Sequence, residues 1–198
     1  NNNLTGNSAS NNNRGIYLYS SSNNNLTGNN ASYNNRGIYL YYLSNNNLTG
    51  NNASYNDEYG IWLYYSSYNT LSNNTMSGNK YNFGVSGNSL PHHIQDIDTS
   101  NKVDTKPIYY WVSQKNQEIP SDAGFVGVVN STNITVRDLE LTKNYYGVLF
   151  AYTSNSRIEN VNASNNSYGI YLRYSGNNNL TNNTCKYNQN SGIYLDQS

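Results

Sequence analysis

The sequence predicts an all-β fold, a right-handed parallel β-helix (solenoid) with about 22 residues per coil. Three observations carry that expectation. A phrase recurs at a nearly fixed step, its apolar letters alternate with polar ones over short runs, and asparagine-rich turns bound each run.

The step comes first. Leu4, Leu26 and Leu48 lie 22 residues apart and Leu71 follows after 23. Gly15, Gly37, Gly60 and Gly84 lie at steps of 22, 23 and 24, and after an interruption Gly147, Gly169 and Gly192 resume at 22 and 23. A period of this size marks stacked units, each burying its apolar face against its neighbours. Leucine-rich repeats share the period but need more leucines per unit and a helical or 3₁₀ segment, and a propeller blade needs about twice the length. Twenty-two residues at ~3.3 Å each reach at most ~73 Å, enough for three short strands and their corners.

Within a unit the elements follow in order. "NNLTG" supplies a strand with Leu48 inward, "NASYN" a second with Ala53 inward, and "GIYLYY" a third in which Ile38 and Leu40 alternate with Tyr39 and Tyr41. The intervening asparagines make the corners, because Asn tolerates left-handed backbone and bonds its own neighbours. Equivalent asparagines stacked coil on coil are expected to form amide ladders. The polar letters thus build corners and ladders while a few apolar letters per coil make a thin core, through about eight or nine coils. Residues 1–198 read as a single β-helix domain, part of a longer chain or polymer. A looped, irregular coil spans about 91–123, where all three prolines, both histidines and five of the eleven acidic residues fall. There "PIYYWV" continues the solenoid as a strand, with 98–106 and 113–122 as projecting loops.

Composition narrows the function classes. Formal net charge is zero and 11% of residues are charged, which argues against a nucleic-acid footprint or a polybasic membrane patch. About one residue in five is Asn, and 22 Tyr stand against 3 Phe. Such polarity alone would suggest disorder, which the regular glycines and aromatics oppose. One cysteine, Cys185, excludes an intramolecular disulfide framework, and no apolar run approaches the ~18 residues of a membrane-spanning helix.

The "GIYL" coils with their asparagine turns, followed by "KPIYYWV" and "PSDAGFVGVVN" between Lys106 and Asn130, resemble the archaeal NosD-like right-handed parallel β-helix surface proteins. The resemblance covers nearly the whole chain and implies the fold and an extracellular setting. Its name-giving members are linked to copper-site maturation, and related solenoids include sugar hydrolases and lyases.

Each candidate chemistry stands beside a plainer reading. Copper favours clustered Met, Cys and His, whereas this chain has Met76, Cys185 and the adjacent His92 and His93, which in a strand would face opposite ways. No metal ligand and no cofactor is assigned. Carbohydrate cleavage needs converging carboxylates, and the sequence offers one acidic loop cluster, Asp96, Asp98, Asp104 and Asp122. No residue is assigned a catalytic role and the chain is read as a non-enzyme. Tyr17, Tyr39, Trp62, Tyr171 and Tyr194 occupy the outward slot after Ile and are expected to form an exposed aromatic contact stripe, for sugar rings or a neighbouring solenoid. The plainer reading is cross-strand stabilisation of ~0.2–1 kcal/mol per pair. Twelve asparagines (3, 25, 30, 47, 52, 73, 130, 133, 162, 165, 179 and 182) begin Asn-x-Ser/Thr, so some surface glycosylation is expected. Joined tail to head, "NSGIYLDQS" and "NNNLTGNSASNNNRG" read as one more coil. The expectation is therefore a structural cell-surface or extracellular component that self-associates end to end or laterally. It has no nucleic-acid partner and no membrane span, and its alternative is a carbohydrate-binding or carbohydrate-processing β-helix domain.

Overall fold

A computed structural model describes residues 1–198, which fall into two compact units, Asn1–Ile108 and Tyr109–Ser198. Both are stacks of parallel coils, about nine coils of roughly 22 residues in all.

In chain order the first unit holds β1 (Asn3–Thr5), β2 (Arg14–Tyr19), β3 (Asn25–Thr27), β4 (Arg36–Tyr41), β5 (Asn47–Thr49), β6 (Tyr59–Tyr64), β7 (Thr70–Ser72), β8 (Thr75–Met76), β9 (Tyr81–Ser86), the short helix α1 (Leu90–His93), β10 (Asp96–Ile97) and β11 (Lys102–Val103). One parallel sheet runs β1-β3-β5-β7-β10 and stacks Leu4, Leu26, Leu48, Leu71 and Ile97 in a column. A second runs β2-β4-β6-β9, stacking Ile16, Ile38, Ile61 and Phe83 beside Leu18, Leu40, Leu63 and Val85. The third side is a line of parallel bridges, Ser8 to Asn30 to Asn52 to Thr75. The apolar columns are buried within the stack, Leu26, Ile38, Leu48 and Leu63 completely.

The chain passes between the units in β12 (Lys106–Val112). The second unit then holds β13 (Lys115–Glu118), β14 (Phe125–Val129), β15 (Thr132–Arg137), β16 (Tyr146–Ala151), β17 (Arg157–Glu159), β18 (Tyr168–Arg173), β19 (Asn179–Thr181) and β20 (Ser191–Asp196). Here β14, β16, β18 and β20 stack Val126, Val148, Ile170 and Ile193 in register, and β13, β15, β17 and β19 make the facing parallel sheet. "PIYYWV" is a strand as expected. The two stretches read as loops differ: 98–106 contains β11, paired with β8, and 113–122 contains β13, paired with β15. Backbone pairing along the stack recruits short polar segments whose own letters show no strand period.

The corners have a simple grammar. A residue with left-handed backbone reverses the chain, and the next residue turns its side chain inward. Gly28 (φ 63°), Tyr33 (φ 60°), Asn45 (φ 56°) and Tyr55 (φ 57°) precede the buried Asn29, Asn34, Asn46 and Asn56. A left-handed Tyr costs ~1–2 kcal/mol. Stacking between successive coils offsets this, Tyr33 on Tyr55 at 5.3 Å and Tyr42 on Tyr65 at 5.0 Å between ring centroids.

The inward asparagines form the ladders. Asn7 donates through both its backbone nitrogen and Nδ2 to Asn29 Oδ1, Asn29 to Asn51, Asn51 to Asn74 and Asn74 to Asn101, at 2.8–3.1 Å. A parallel series runs Asn2, Asn24, Asn46, Asn69 and ends on Gln95, whose longer amide carries the ladder across the inserted α1. A third runs Asn34, Asn56, Asn79. The glycine of "GIYL" follows from that series. A Cβ on Gly37 would lie 2.7 Å from Asn56 Nδ2 and 2.5 Å from Gly60 O, so column and glycine recur together. In the second unit Asn144, Asn166 and Asn188 repeat the pattern through their backbone N–H groups.

Candidate functional site

The outward side chains of β2, β4, β6 and β9 assemble an aromatic raft. Tyr17, Tyr39 and Trp62 stack at 5.3 and 5.0 Å, Tyr19, Tyr41 and Tyr64 at 5.4 and 5.2 Å, and Tyr42 and Tyr65 flank them. Tyr59 lies 4.4 Å from Trp62 and Tyr64 lies 4.9 Å from it, so the rows are tiled sideways as well. Arg14 sits 4.2 Å over the Tyr17 ring, and Arg36 lies within 6.0 Å of Tyr39, Tyr59 and Trp62 while bonding Glu58 at 2.6 Å.

This geometry corrects the expected exposed stripe. Tyr39 is 6% exposed, Trp62 9% and Tyr171 7%, while Tyr17 at 37% and Tyr194 at 42% remain open. Outward residues on a flat parallel sheet cover one another coil by coil, so the interior rings lose their faces to ring neighbours. Nor is there one stripe of five. The first stack runs from Tyr17 to Trp62 and meets Gly84 in register; the other pairs Tyr171 with Tyr194 at 5.3 Å and meets Leu149. Burial pushes the Tyr39 phenol above its ordinary range. Tyr171 is pushed up to about 12, by burial first, with the Arg173 charge opposing. Its hydroxyl donates to Asp196 Oδ2 at 3.1 Å and accepts from Arg173 Nη1 at 3.2 Å, and Arg173 pairs with Asp196.

Three of the four acidic candidates serve a local structural contact. Asp98 accepts from the Ser100 backbone nitrogen at 3.0 Å, from the Ser100 hydroxyl and from Asn101 Nδ2 at 3.2 Å. Asp104 accepts from Ser77 Oγ (3.0 Å), the Gly78 backbone nitrogen (2.9 Å) and Asn82 Nδ2 (3.0 Å), closing the third ladder with a carboxylate. Asp122 accepts from the Tyr109 hydroxyl at 2.8 Å, and Asp96 lies exposed on β10 opposite Thr70. His92 meets Ser89 Oγ at 3.0 Å through Nδ1 and the Tyr65 ring edge at 5.2 Å, while His93 is fully buried. No three His, Cys, Asp or Glu side chains converge as a metal-ion site.

One feature was not legible in the sequence. On β13, β15 and β17 an open cleft of about 230 Å³ is lined by Asn116, Gln117, Glu118, Asn133, Thr135 and Arg157. Arg157 Nε donates to Thr135 Oγ1 at 3.0 Å, Asn133 Nδ2 to Asn116 Oδ1 at 2.8 Å, and Arg137 holds Glu118 at 2.8 Å. Its residues come from three separated segments that share no motif; only the outward Thr and Arg of "TNITVR" hinted at a polar face.

No helix is long and apolar enough to cross a membrane. The model of one protein family, described as periplasmic copper-binding protein (NosD), matches residues 1–96 and again residues 93–198. No curated protein matches the chain.

Proposed function

The chain belongs to the NosD family, which covers it in two successive spans, and from that premise we propose a non-catalytic structural role outside the cytoplasm, as a surface component whose copies associate end to end. The carrying observation is the direction of the ladders. In the ladders the backbone N–H groups donate to the side-chain oxygen of the next coil in chain order. In the first unit Asn2, Asn7 and Asn12 donate forward to Asn24, Asn29 and Asn34. In the second unit Asn178, Asn183 and Asn188 accept through Oδ1 from the backbone nitrogens of Ser156, Val161 and Asn166. Each coil thus offers donors to one neighbour and acceptors to the other, the two halves of the bond that joins successive coils, so a coil of one copy can follow a coil of another in a head-to-tail, non-closing contact. Negative-stain electron microscopy at micromolar concentration is the test. Fibres about one coil in width support the proposal; discrete short rods overturn it.

The family description names copper, and the residues present do not suit that metal. Met76 is completely buried in β8, Cys185 is half-buried with its thiol pushed up by burial, and His92 is engaged with Ser89. Soft copper sites need such donors clustered, and no three His, Cys, Asp or Glu side chains converge here.

A second reading, carbohydrate binding, is favoured by the cleft on β13, β15 and β17. Amide, hydroxyl, carboxylate and guanidinium groups converge there without an apolar wall, a lining suited to a polyhydroxylated and acidic sugar. Titration with uronate oligosaccharides tests it: saturable binding lost in Arg157→Ala supports this reading, and no binding removes it.

A further inference from the structure

The asparagines of this chain divide into two populations. Thirteen are buried, and none of them begins an Asn-x-Ser/Thr triplet. Of the twelve that do, none is buried, and all but the half-buried Asn162 are exposed. Alternation explains part of this, since in Asn-Leu-Thr the leucine faces the core and the flanking residues face out. It does not set how the outward amides are held.

At four triplets the hydroxyl two residues on donates to the asparagine's own Oδ1: Thr49 to Asn47 at 3.2 Å, Ser54 to Asn52 at 2.6 Å, Ser164 to Asn162 at 2.6 Å and Thr181 to Asn179 at 3.1 Å. The carbonyl end of each amide is thereby fixed, and Nδ2 is left without a protein partner. At three other triplets the nitrogen is engaged instead, Asn25 to Asn3 (3.0 Å), Asn130 to Ser113 (2.9 Å) and Asn133 to Asn116 (2.8 Å).

We propose that Asn47, Asn52, Asn162 and Asn179 are N-glycan attachment sites. The proposal rests on the placement outside the cytoplasm argued above. The sugar donor is an oligosaccharide carried on a lipid phosphate or pyrophosphate. The asparagine Nδ2 forms a bond to the anomeric carbon, the bond from that carbon to phosphate oxygen breaks, the lipid phosphate leaves with the electron pair, and one amide proton passes to base. Nothing is oxidised or reduced. Successive coils are only ~4.8 Å apart, so two glycans in adjacent coils of one column would crowd. The engagement of Asn25 by Asn3 singles out Asn47 within the Asn3-Asn25-Asn47 column.

The test is glycopeptide mass spectrometry on the protein purified from the cells that make it, with surface biotinylation of intact cells in parallel. Sugar-bearing masses at these four asparagines, and a loss of modification at Asn47 in Thr49→Ala, are the expected result. A biotinylated protein whose four sites are bare, or whose glycans sit only on Asn25, Asn130 and Asn133, overturns the assignment and leaves the surface placement standing. A protein that biotin does not reach and that carries no sugar overturns both.

Discussion

The side-chain oxygen of Asn51 accepts two hydrogen bonds from Asn29, one from the backbone nitrogen at 3.0 Å and one from Nδ2 at 2.9 Å. Both residues are buried, and Asn51 passes the same pair of bonds on to Asn74. Asn51→Ala therefore orphans two donors on Asn29 at about 1–3 kcal/mol each. Asn52→Ala, one residue on and exposed, is expected to stay within about 0.5 kcal/mol. Urea midpoints of the two variants check this, and equal shifts would mean that the ladder carries no weight.

Two glycines separate close approach from backbone hand. Gly37→Ala drives a Cβ to 2.5 Å from Gly60 O and is expected to cost about 1–3 kcal/mol. Gly28 has φ 63° and open space around it, so Gly28→Asn should be nearly neutral while Gly28→Val costs about 1–2 kcal/mol. Thermal melts of the three variants distinguish the two causes.

Alkali should loosen the fold before it ionises Tyr171 in the folded protein. An open-chain tyrosine titrates near 10, and Tyr171 in the folded protein near 12. Between these values the unfolded chain has lost the proton that the folded state retains, so the folded state binds more protons and stability falls as pH rises. The contribution is whole below about pH 10 and lost by about pH 12. Urea midpoints from pH 8 to 12 should decline, less steeply in Tyr171→Phe. A flat profile would show that the ring is not buried.

Copper offers a direct check on the donor geometry. With no three His, Cys, Asp or Glu side chains converging, calorimetric titration in a weakly chelating buffer should give no saturable site. A sub-micromolar site lost in Met76→Leu or His92→Ala would contradict that geometry.

The coil step and the inward columns were legible because leucine and glycine recur wherever the stack demands an apolar or a missing side chain. Leu4, Leu26, Leu48 and Leu71 read true for that reason. Tyr33 and Tyr55 did not announce their left-handed corners, because the stacking that offsets the strain joins residues 22 apart rather than neighbours. The same non-local coverage hid the burial of Tyr39 and Trp62. β13, "KNQE", is fully exposed and alternates nothing; its strand identity comes from pairing with β15. Asp98 and Asp104 bond the loops and ladder amides beside them, a local role that residue type cannot reveal.

The uniform direction of the ladder bonds has an electrical consequence. Backbone hydrogen bonds between coils run both ways, Gly6 to Thr27 in one sense and Asn25 to Asn2 in the other, so their dipoles largely cancel. Those between ladder amides all run the same way, Asn7 to Asn29 to Asn51 to Asn74, so each ladder is a row of dipoles added head to tail in a poorly screened interior. Polarisation is mutual along such a row, and an amide in the middle is held by neighbours on both sides while one at the margin is held by one. Fraying should therefore begin at the margins of a row, and each coil added should tighten those already present.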